Sequence, residues 1–159
     1  MLKKTILFSF LIFALASCTK ELDDKFEDNN QQDPISEVPA ILLISVSTAE
    51  VTAYEDPITF KISYLDGDGD LGTDDPDIYS IELIDNRDPD LFVFNYHLSP
   101  RTPEGSSLAV QGELDIVLDN SILLEEDSDS ETTTFSIRVK DVAGNWSNVV
   151  ETGVFTIVP

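Results

Sequence analysis

The chain has few of the residues on which many protein functions depend. It contains one cysteine and one histidine among 159 residues, and 9 lysines and arginines stand against 31 aspartates and glutamates. A single cysteine cannot form a disulfide within the chain, and one histidine with one thiol is too small a ligand set for zinc. The net charge of -22 repels nucleic-acid phosphates. We therefore expect no nucleic-acid partner, no zinc site, and a fold stabilised by its hydrophobic core.

Groups for catalysis are equally scarce. A Ser-His-Asp triad would need His97, which lies at the end of a predicted strand, and no serine stands in a nucleophile-elbow motif. Paired carboxylates for glycoside hydrolysis stay open, but 31 acidic residues make some suitable pair inevitable, so such a pair carries no information. The sequence predicts that the protein is not an enzyme, with an envelope hydrolase as the last of the alternatives.

The cysteine stands directly after the longest apolar run. Lys3 and Lys4 precede an apolar stretch at 6–14, and Leu-Ala-Ser-Cys follows at 15–18. Roughly ten apolar residues are about half of what a helix needs to cross a bilayer, and this order is typical of a cleaved secretory signal. Leu-Ala-Ser-Cys resembles the lipobox of bacterial lipoproteins. The resemblance implies cleavage before Cys18, a diacylglyceryl thioether on its sulfur and, usually, acylation of its new amino group; an unmodified cysteine is the alternative.

Residues 1–17 are thus predicted to be a lipoprotein signal peptide, and residues 18–39 a flexible tether. The tether is polar, acidic and poor in apolar residues, which is typical of disorder. Its sequence Lys-Glu-Leu-Asp-Asp at 20–24 resembles the acidic export signals of surface lipoproteins of the Bacteroidota; a plain spacer is the alternative. We expect an outer-membrane lipoprotein of the cell envelope, either periplasmic or displayed on the surface.

From residue 40 onward the sequence alternates in the manner of β-strands. Large apolar side chains stand at 58, 60, 62 and 64 with polar ones between them, and the same alternation recurs at 79–83 and 135–139. Gly112 and Gly153 are candidate bulges. About seven strands without helical periodicity predict an all-β, immunoglobulin-like antiparallel β-sandwich over 40–159. Weaker strand patterns cover 41–48, 91–97, 108–118 and 149–158.

The segment 138–147 resembles the last hairpin of bacterial immunoglobulin-like modules, in which Asp-x-Ala-Gly-Asn forms the turn. Gly144 and Asn145 tolerate a positive φ, and Asp141 can accept hydrogen bonds from nearby backbone amides. The resemblance supports a closing hairpin and implies nothing about a ligand.

The acidic loop at 66–77 is the part of the sequence that most resembles a site. Six of its twelve residues are aspartates, and three of the chain's 7 glycines lie there. Carboxylates at alternate positions with glycines between them allow a loop to curl until several oxygens converge, and hard oxygen donors suit calcium. We expect calcium as the cofactor, with Asp66, Asp68, Asp70 and Asp77 among its ligands. The alternative is a turn satisfied by its own hydrogen bonds and water.

The loop does not fit the EF-hand pattern. Leu71 stands where that pattern requires glycine, Asp77 stands where it has glutamate, and no predicted helices flank the loop. The sequence Asp-Gly-Asp-Gly-Asp-Leu-Gly at 66–72 instead resembles a signature of Bacteroidota-type lipoproteins with an immunoglobulin-like β-sandwich. This resemblance extends from the lipobox to the last hairpin and implies no particular activity.

The alternation of strand direction places the acidic loop next to two other loops. If seven strands run alternately up and down, the loops at 66–77, 98–107 and 141–148 share one end of the sandwich, where the tether also joins the domain. Asp141 is then placed to complete the calcium site. Trp146 is placed to cover the site or to present a flat ligand surface beside it.

Together these features predict a lipid-anchored cell-envelope protein whose sandwich binds calcium structurally and serves as an accessory or interaction module. The alternative is a surface module that binds carbohydrate or protein without metal, because loops of such folds commonly carry recognition. Phe92, Phe94 and Tyr96 are candidate aromatics for carbohydrate, with packing in the core as their simpler role. The expected partners are the membrane, through the lipid on Cys18, and an envelope protein or glycan.

Overall fold

The structure, a computed structural model, describes residues 34–103, 106–125 and 127–159. The predicted signal peptide 1–17, the predicted lipidation site Cys18 and most of the predicted tether 18–39 lie outside the described residues. The described residues contain ten β-strands and no helix. None of them therefore belongs to a helix that is long and apolar enough to cross a membrane.

The strands follow one another with turns and short loops between them. β1 starts at Ala40, where the alternating pattern of the sequence begins. The ten strands are β1 (Ala40–Val46), β2 (Glu50–Thr52), β3 (Ile58–Asp66), β4 (Ile81–Asp85), β5 (Val93–Tyr96), β6 (Val110–Leu118), β7 (Glu131–Thr133), β8 (Phe135–Val139), β9 (Val150–Glu151) and β10 (Phe155–Val158).

These strands form two main sheets and one small sheet. One main sheet has the order β1-β3-β6, and the other has the order β5-β4-β8-β9. The small sheet has the order β2-β10-β7, in which β2 runs parallel to β10; the other neighbouring pairs are antiparallel. The first, second and fifth predicted strands share one sheet, and the third, fourth and sixth share the second. The seventh is divided between the second sheet, which contains β9, and the small sheet, which contains β10. The predicted all-β sandwich fold is confirmed.

The described residues have ten strands rather than seven because three crossings of the sandwich are each split in two. β7 and β8 are separated by Thr134 alone. β9 pairs antiparallel with β8, and β10 pairs antiparallel with β7, so β9 and β10 also run in one direction. β2 follows β1 and runs parallel to β10. The splits leave the direction of the chain unchanged, so the predicted grouping of the loops is unaffected. β2 and β7 have three residues each and no alternating apolar pattern, so the sequence did not reveal them.

The two glycines predicted to mark bulges have other roles. The register between β3 and β6 is unbroken at Gly112, which lies opposite Tyr64, so that prediction is wrong. A Cβ atom at Gly112 would lie 2.7 Å from the Tyr64 hydroxyl oxygen, so glycine makes room for the ring. Gly153 lies between β9 and β10. The observed bulge is in β1, between Leu43 and Ser45.

The core is built from the inward faces of the strands. The four apolar positions of β3 from 58 to 64 are all buried, as their alternation predicts. Phe60, Phe135 and Phe155 come from three strands and meet at ring-centroid distances of 5.2 to 5.9 Å. Burial of each such ring contributes roughly 1.5 to 3 kcal/mol. The predicted strand at 79–83 starts later than expected, because β4 begins at Ile81 and Tyr79 is exposed.

Candidate metal centre

Three loops converge at one end of the sandwich. Backbone hydrogen bonds join the loop after β3 to the loop after β5, where the Thr73 N–H donates to the Leu98 carbonyl (2.8 Å). The loop after β8 joins them, because the Val142 N–H donates to the Asp70 carbonyl (3.3 Å). The described residues of 66–77, 98–107 and 141–148 therefore meet, as the alternation of strand direction predicts.

The glycines of the acidic loop allow this close approach. Gly69 and Gly72 have positive φ angles of 74° and 89°, a region that residues with a Cβ rarely adopt. A Cβ atom at Gly69 would lie 2.1 Å from the Leu108 carbonyl oxygen, and one at Gly72 would lie 2.4 Å from the Ser99 carbonyl oxygen. Both glycines are thus required by the packing of the loop backbone against its neighbours.

Three of the predicted ligands come together in this arrangement. Asp66 is the last residue of β3 and continues its inward-facing alternation, so its side chain is 0% exposed. Asp70 follows in the loop, and Asp141 begins the hairpin after β8 and is 3% exposed. One carboxylate oxygen from each of the three lies within 4.8 Å of the other two. Asp68 is half-buried beside them, close enough for its charge to raise the pKa of Asp66.

Four carboxylate oxygens of this centre are buried and have no hydrogen-bond donor among the described residues. Both Asp66 oxygens, one Asp68 oxygen and one Asp70 oxygen are shielded from solvent and accept no hydrogen bond from the described residues. Buried polar atoms in folded proteins nearly always have a partner, because an uncompensated buried charge costs several kcal/mol. A group of such oxygens is typical of a site that accepts a cation.

Burial and mutual repulsion raise the pKa values of Asp66 and Asp70. Burial, together with the negative charges of its three aspartate neighbours, raises the pKa of Asp66 from 3.8 to about 6. The Leu71 amide offsets part of this rise without having the geometry of a hydrogen bond. Burial also raises the pKa of Asp70, although the Ala143 N–H donates to its Oδ2 at 2.9 Å. A cation would relieve both effects, because it neutralises the charge that burial and repulsion oppose.

The hairpin after β8 fixes the orientation of Asp141. Asn145 donates from its backbone N–H to Asp141 Oδ1 (2.6 Å) and from its side-chain amide to Oδ2 (2.8 Å). Gly144 has a φ of 94°. The predicted turn, with a positive φ at Gly144 and backbone hydrogen bonding by Asp141, is confirmed. Each carboxylate oxygen keeps a second lone pair, so Asp141 is oriented and still able to bind an ion.

Two predicted site residues have other surroundings. Asp77 is exposed and outside the group of converging carboxylates, and its backbone N–H donates to Asp75 Oδ1 (3.0 Å). Trp146 is half-buried, and its ring centroid lies 4.1 Å from the guanidinium carbon of Arg138 and 5.1 Å from Lys140 Nζ. The ring therefore makes cation–π contacts with Arg138 in β8 and with Lys140, which directly follows β8.

The remaining candidate side chains have packing or backbone contacts. Phe94 and Tyr96 pack against the hydrophobic core, and Phe92 is half-buried. His97 Nδ1 lies 3.1 Å from the Ile78 carbonyl oxygen. These contacts favour a packing role for Phe94 and Tyr96 over carbohydrate stacking.

A second group of charged side chains, which the sequence did not reveal, surrounds the buried Asp85 at the opposite end of the sandwich. Asp85 ends β4 opposite Phe135 at the start of β8, whereas Asp141 follows the other end of β8. Arg87 Nε donates to both Asp85 oxygens (3.1 and 3.0 Å). Arg87 Nη1 also donates to Glu131 Oε2 (2.5 Å). These charges compensate one another within the protein.

Comparison of this chain with protein-family models, with curated proteins and with solved structures gives no match. The fold and the centre define an all-β sandwich with a buried group of carboxylates at one end. The function is therefore inferred from the geometry and the charge of that centre.

Proposed function

We propose that the domain is a structural calcium-binding module of a lipid-anchored cell-envelope protein. The observation that supports calcium most directly is Asp66, whose two oxygens are buried and unpartnered beside the carboxylates of Asp70 and Asp141. Such a buried anionic group is stable only when a cation or protons supply the missing positive charge. At neutral pH a cation is the better compensation, because a carboxylate with a pKa of about 6 is largely ionised.

The ligand chemistry favours calcium over other common ions. The converging ligand atoms are all carboxylate oxygens, the hard donors that calcium prefers. Calcium binds oxygens at about 2.3 to 2.6 Å, so two oxygens around one ion lie within roughly 5 Å of each other. The three carboxylate oxygens meet this limit, since they lie within 4.8 Å of one another. Magnesium demands a smaller octahedral shell and retains several waters, so it suits a cluster of converging carboxylates less well.

A calcium ion in this position would hold one end of the sandwich together. Asp66, Asp68 and Asp70 belong to β3 and the loop after it, and Asp141 belongs to the hairpin after β8. An ion bound by both replaces repulsion with attraction, and its binding free energy adds to the free energy of unfolding. The stiffened sandwich would serve as an accessory or interaction module, anchored in the outer membrane through lipid on Cys18, with an envelope protein or glycan as partner.

Thermal unfolding of the purified protein with calcium and with a chelator tests this function. A ligand at a thousand times its dissociation constant adds about 4 kcal/mol of stability, which raises the midpoint of a domain of this size by roughly 10 to 20 °C. Magnesium at the same concentration should raise it less. An unchanged midpoint with calcium would contradict the proposal and would favour a module that binds carbohydrate or protein without metal.

Two aspartate variants distinguish a specific site from general charge screening. Asp70→Asn removes a ligand of the centre, and we expect calcium affinity to fall about tenfold or more. Asp77→Asn removes the same charge from an exposed position of the same loop, so affinity should stay unchanged. Isothermal titration calorimetry measures both affinities. Equal losses would show that the net charge of the loop, rather than the centre, attracts the ion.

The membrane anchor has a separate test. Cys18→Ser removes the sulfur that would carry the lipid, so the variant should incorporate no labelled fatty acid and should leave the membrane fraction. A variant that keeps both the label and the membrane association would contradict the anchor without affecting the calcium site.

A further inference from the structure

The chain that leads into β1 lies against the acidic loop. Gly67 stands between the proposed ligands at 66 and 68. A Cβ atom at Gly67 would lie 2.4 Å from the Ser36 carbonyl oxygen and 2.5 Å from the Ile35 carbonyl oxygen. The backbone of 35–36 therefore packs directly on the backbone of the loop, and a side chain at position 67 would push the two apart.

The same incoming chain is held from a second side by the loop after β8. Asn148 donates from Nδ2 to the Ile41 carbonyl (2.9 Å), and its Oδ1 accepts from the Ile41 N–H (2.9 Å). The asparagine thereby gives the edge strand β1 two hydrogen bonds that a neighbouring strand would otherwise provide. The preceding Ser147 hydroxyl accepts from the Val139 N–H (3.0 Å), which fixes this anchor to β8.

The two loops that hold the incoming chain are also the two that carry the proposed ligands. We infer that a cation at the centre clamps residues 35–41 onto the sandwich. By drawing the loop after β3 and the loop after β8 together, the cation keeps the Gly67 contact and the Asn148 hydrogen bonds formed at the same time. This inference rests on the proposed function, because it requires an ion at the centre.

Repulsion between the loops is the physical basis of the clamp. Without an ion, the carboxylates of the loop after β3 repel Asp141 at short range. A hydrogen bond weakens steeply as it lengthens, so separation of the loops by about 1 Å would break one of the two attachments. Residues 35–41 would then lose either the Gly67 contact or the Asn148 hydrogen bonds, and their amides would exchange with solvent faster.

The coupling between ion and incoming chain acts in both directions. If the ion strengthens the attachment of 35–41, then this attachment strengthens ion binding by the same factor. Gly67→Ala and Asn148→Ala remove no carboxylate, yet each should weaken calcium binding about fivefold or more. Gly153→Ala is the matched control, because a Cβ atom there meets nothing within 4 Å.

Hydrogen–deuterium exchange of the purified protein, with calcium and with a chelator, tests the clamp. Calorimetry on the same samples measures calcium binding. We expect calcium to slow exchange in 35–41 about fivefold or more, and to leave the amides around Arg87 at the opposite end unchanged. Gly67→Ala and Asn148→Ala should reduce this protection, whereas Gly153→Ala should preserve it.

The outcomes distinguish the clamp from the site. Calcium binding without added protection of 35–41 would overturn the clamp and leave the calcium site standing, whereas absence of binding in the unaltered protein would overturn both. If Gly67→Ala fails to fold, Asn148→Ala decides, because Asn148 is exposed and its truncation spares the loop backbone. Unchanged calcium affinity in Asn148→Ala would also overturn the clamp.

Discussion

Asp85 and Asp66 are buried at opposite ends of the sandwich, and they differ in what surrounds them. Asp85 is 3% exposed, and it accepts hydrogen bonds from Arg87 and from the Thr133 hydroxyl (2.5 Å). Burial opposes its charge, but these hydrogen bonds outweigh burial and lower the pKa of Asp85. Asp66 is 0% exposed, has no donor among the described residues, and has its pKa raised to about 6. The partner, rather than burial alone, therefore decides whether a buried carboxylate stays charged.

The Arg87 end shows how the fold compensates a buried charge from within. Arg87 also donates to the Ile122 carbonyl (2.9 Å), and Glu131 Oε1 accepts from the N–H groups of Leu124 and Glu125 (both 2.7 Å). The network thus ties the loop after β6 to β4 and β7. The centre at the opposite end consists of negative side chains alone, and none of the ion pairs among the described residues includes Asp66, Asp70 or Asp141.

The largest loss of stability is expected when Arg87, the cation that pairs with Asp85 and Glu131, is removed. Arg87→Ala leaves the buried Asp85 and the half-buried Glu131 without their cation, and loss of one partner of a buried pair such as Asp85–Arg87 costs about 3 to 5 kcal/mol. Denaturation in urea should show the same loss with calcium and with a chelator. Lys61→Ala is the control, because the pair of Lys61 with Asp115 is on the surface and should matter little. A loss that depends on calcium would show that the two ends are coupled.

The two ends should also respond to acid with opposite signs in calcium-free protein. Asp66 holds its proton up to about pH 6 when folded but only to about 3.8 when unfolded, so the folded state binds more protons between these values. The free energy of unfolding should therefore rise by about 2 kcal/mol as the pH falls from about 7 to 4.5. Asp85 has a lowered pKa, so its contribution is complete above about pH 4 and is lost as the pH falls further, toward its folded pKa.

With calcium bound, the contribution of the Asp66 centre to the free energy of unfolding should depend on pH with the opposite sign. Protons compete with the ion for the carboxylates, so the stabilisation by calcium should shrink as the pH falls. Urea unfolding at about pH 7, 5 and 3, with calcium and with a chelator, measures both responses. If the calcium-free protein loses stability steadily as the pH falls from 7 to 5, the predicted opposite pH responses of Asp66 and Asp85 are contradicted.

Smaller effects of opposite sign are expected from matched amide substitutions. Asp66→Asn removes a buried charge without a partner, so it should raise the free energy of unfolding of the calcium-free protein by about 1 to 2 kcal/mol and remove the calcium response. Asp85→Asn removes the charge to which Arg87 donates, so it should lower the free energy of unfolding by about 1 to 2 kcal/mol. Thermal melts measure both, and destabilisation by both substitutions would remove the distinction between the ends.

Sequence alternation predicted the main strands, and the same alternation continued from position 64 to position 66 accounts for the burial of Asp66. Positions 58 to 64 of β3 face the core at every second residue, and 66 continues the same face. Asp77 could not be separated from the buried aspartates by spacing, since its position depends on the local bond from its N–H to Asp75. The sequence predicts which side chains of a strand face the core, because they alternate. The path of a loop depends on contacts that form only in the folded protein.

The contacts that the sequence could not reveal join residues far apart along the chain. Asn148 reaches Ile41 across 107 positions, and Thr133 reaches Asp85 across 48. The sequence contains many polar residues that could form such hydrogen bonds, and only the fold determines which of them lies close enough. β2 and β7 likewise form by pairing with β10 rather than through an alternation of their own. Lipidation of Cys18 and calcium binding stay predictions.

The chain has a single tryptophan, and the fold places it on the hairpin that begins with Asp141. The ring of Trp146 is half-buried and lies 4.1 Å from the guanidinium carbon of Arg138. Fluorescence from this one indole therefore reports on the packing of the acidic end, and changes confined to the Arg87 end leave it unaffected. The protein thus contains an intrinsic optical reporter of one end of its sandwich, which needs no added dye.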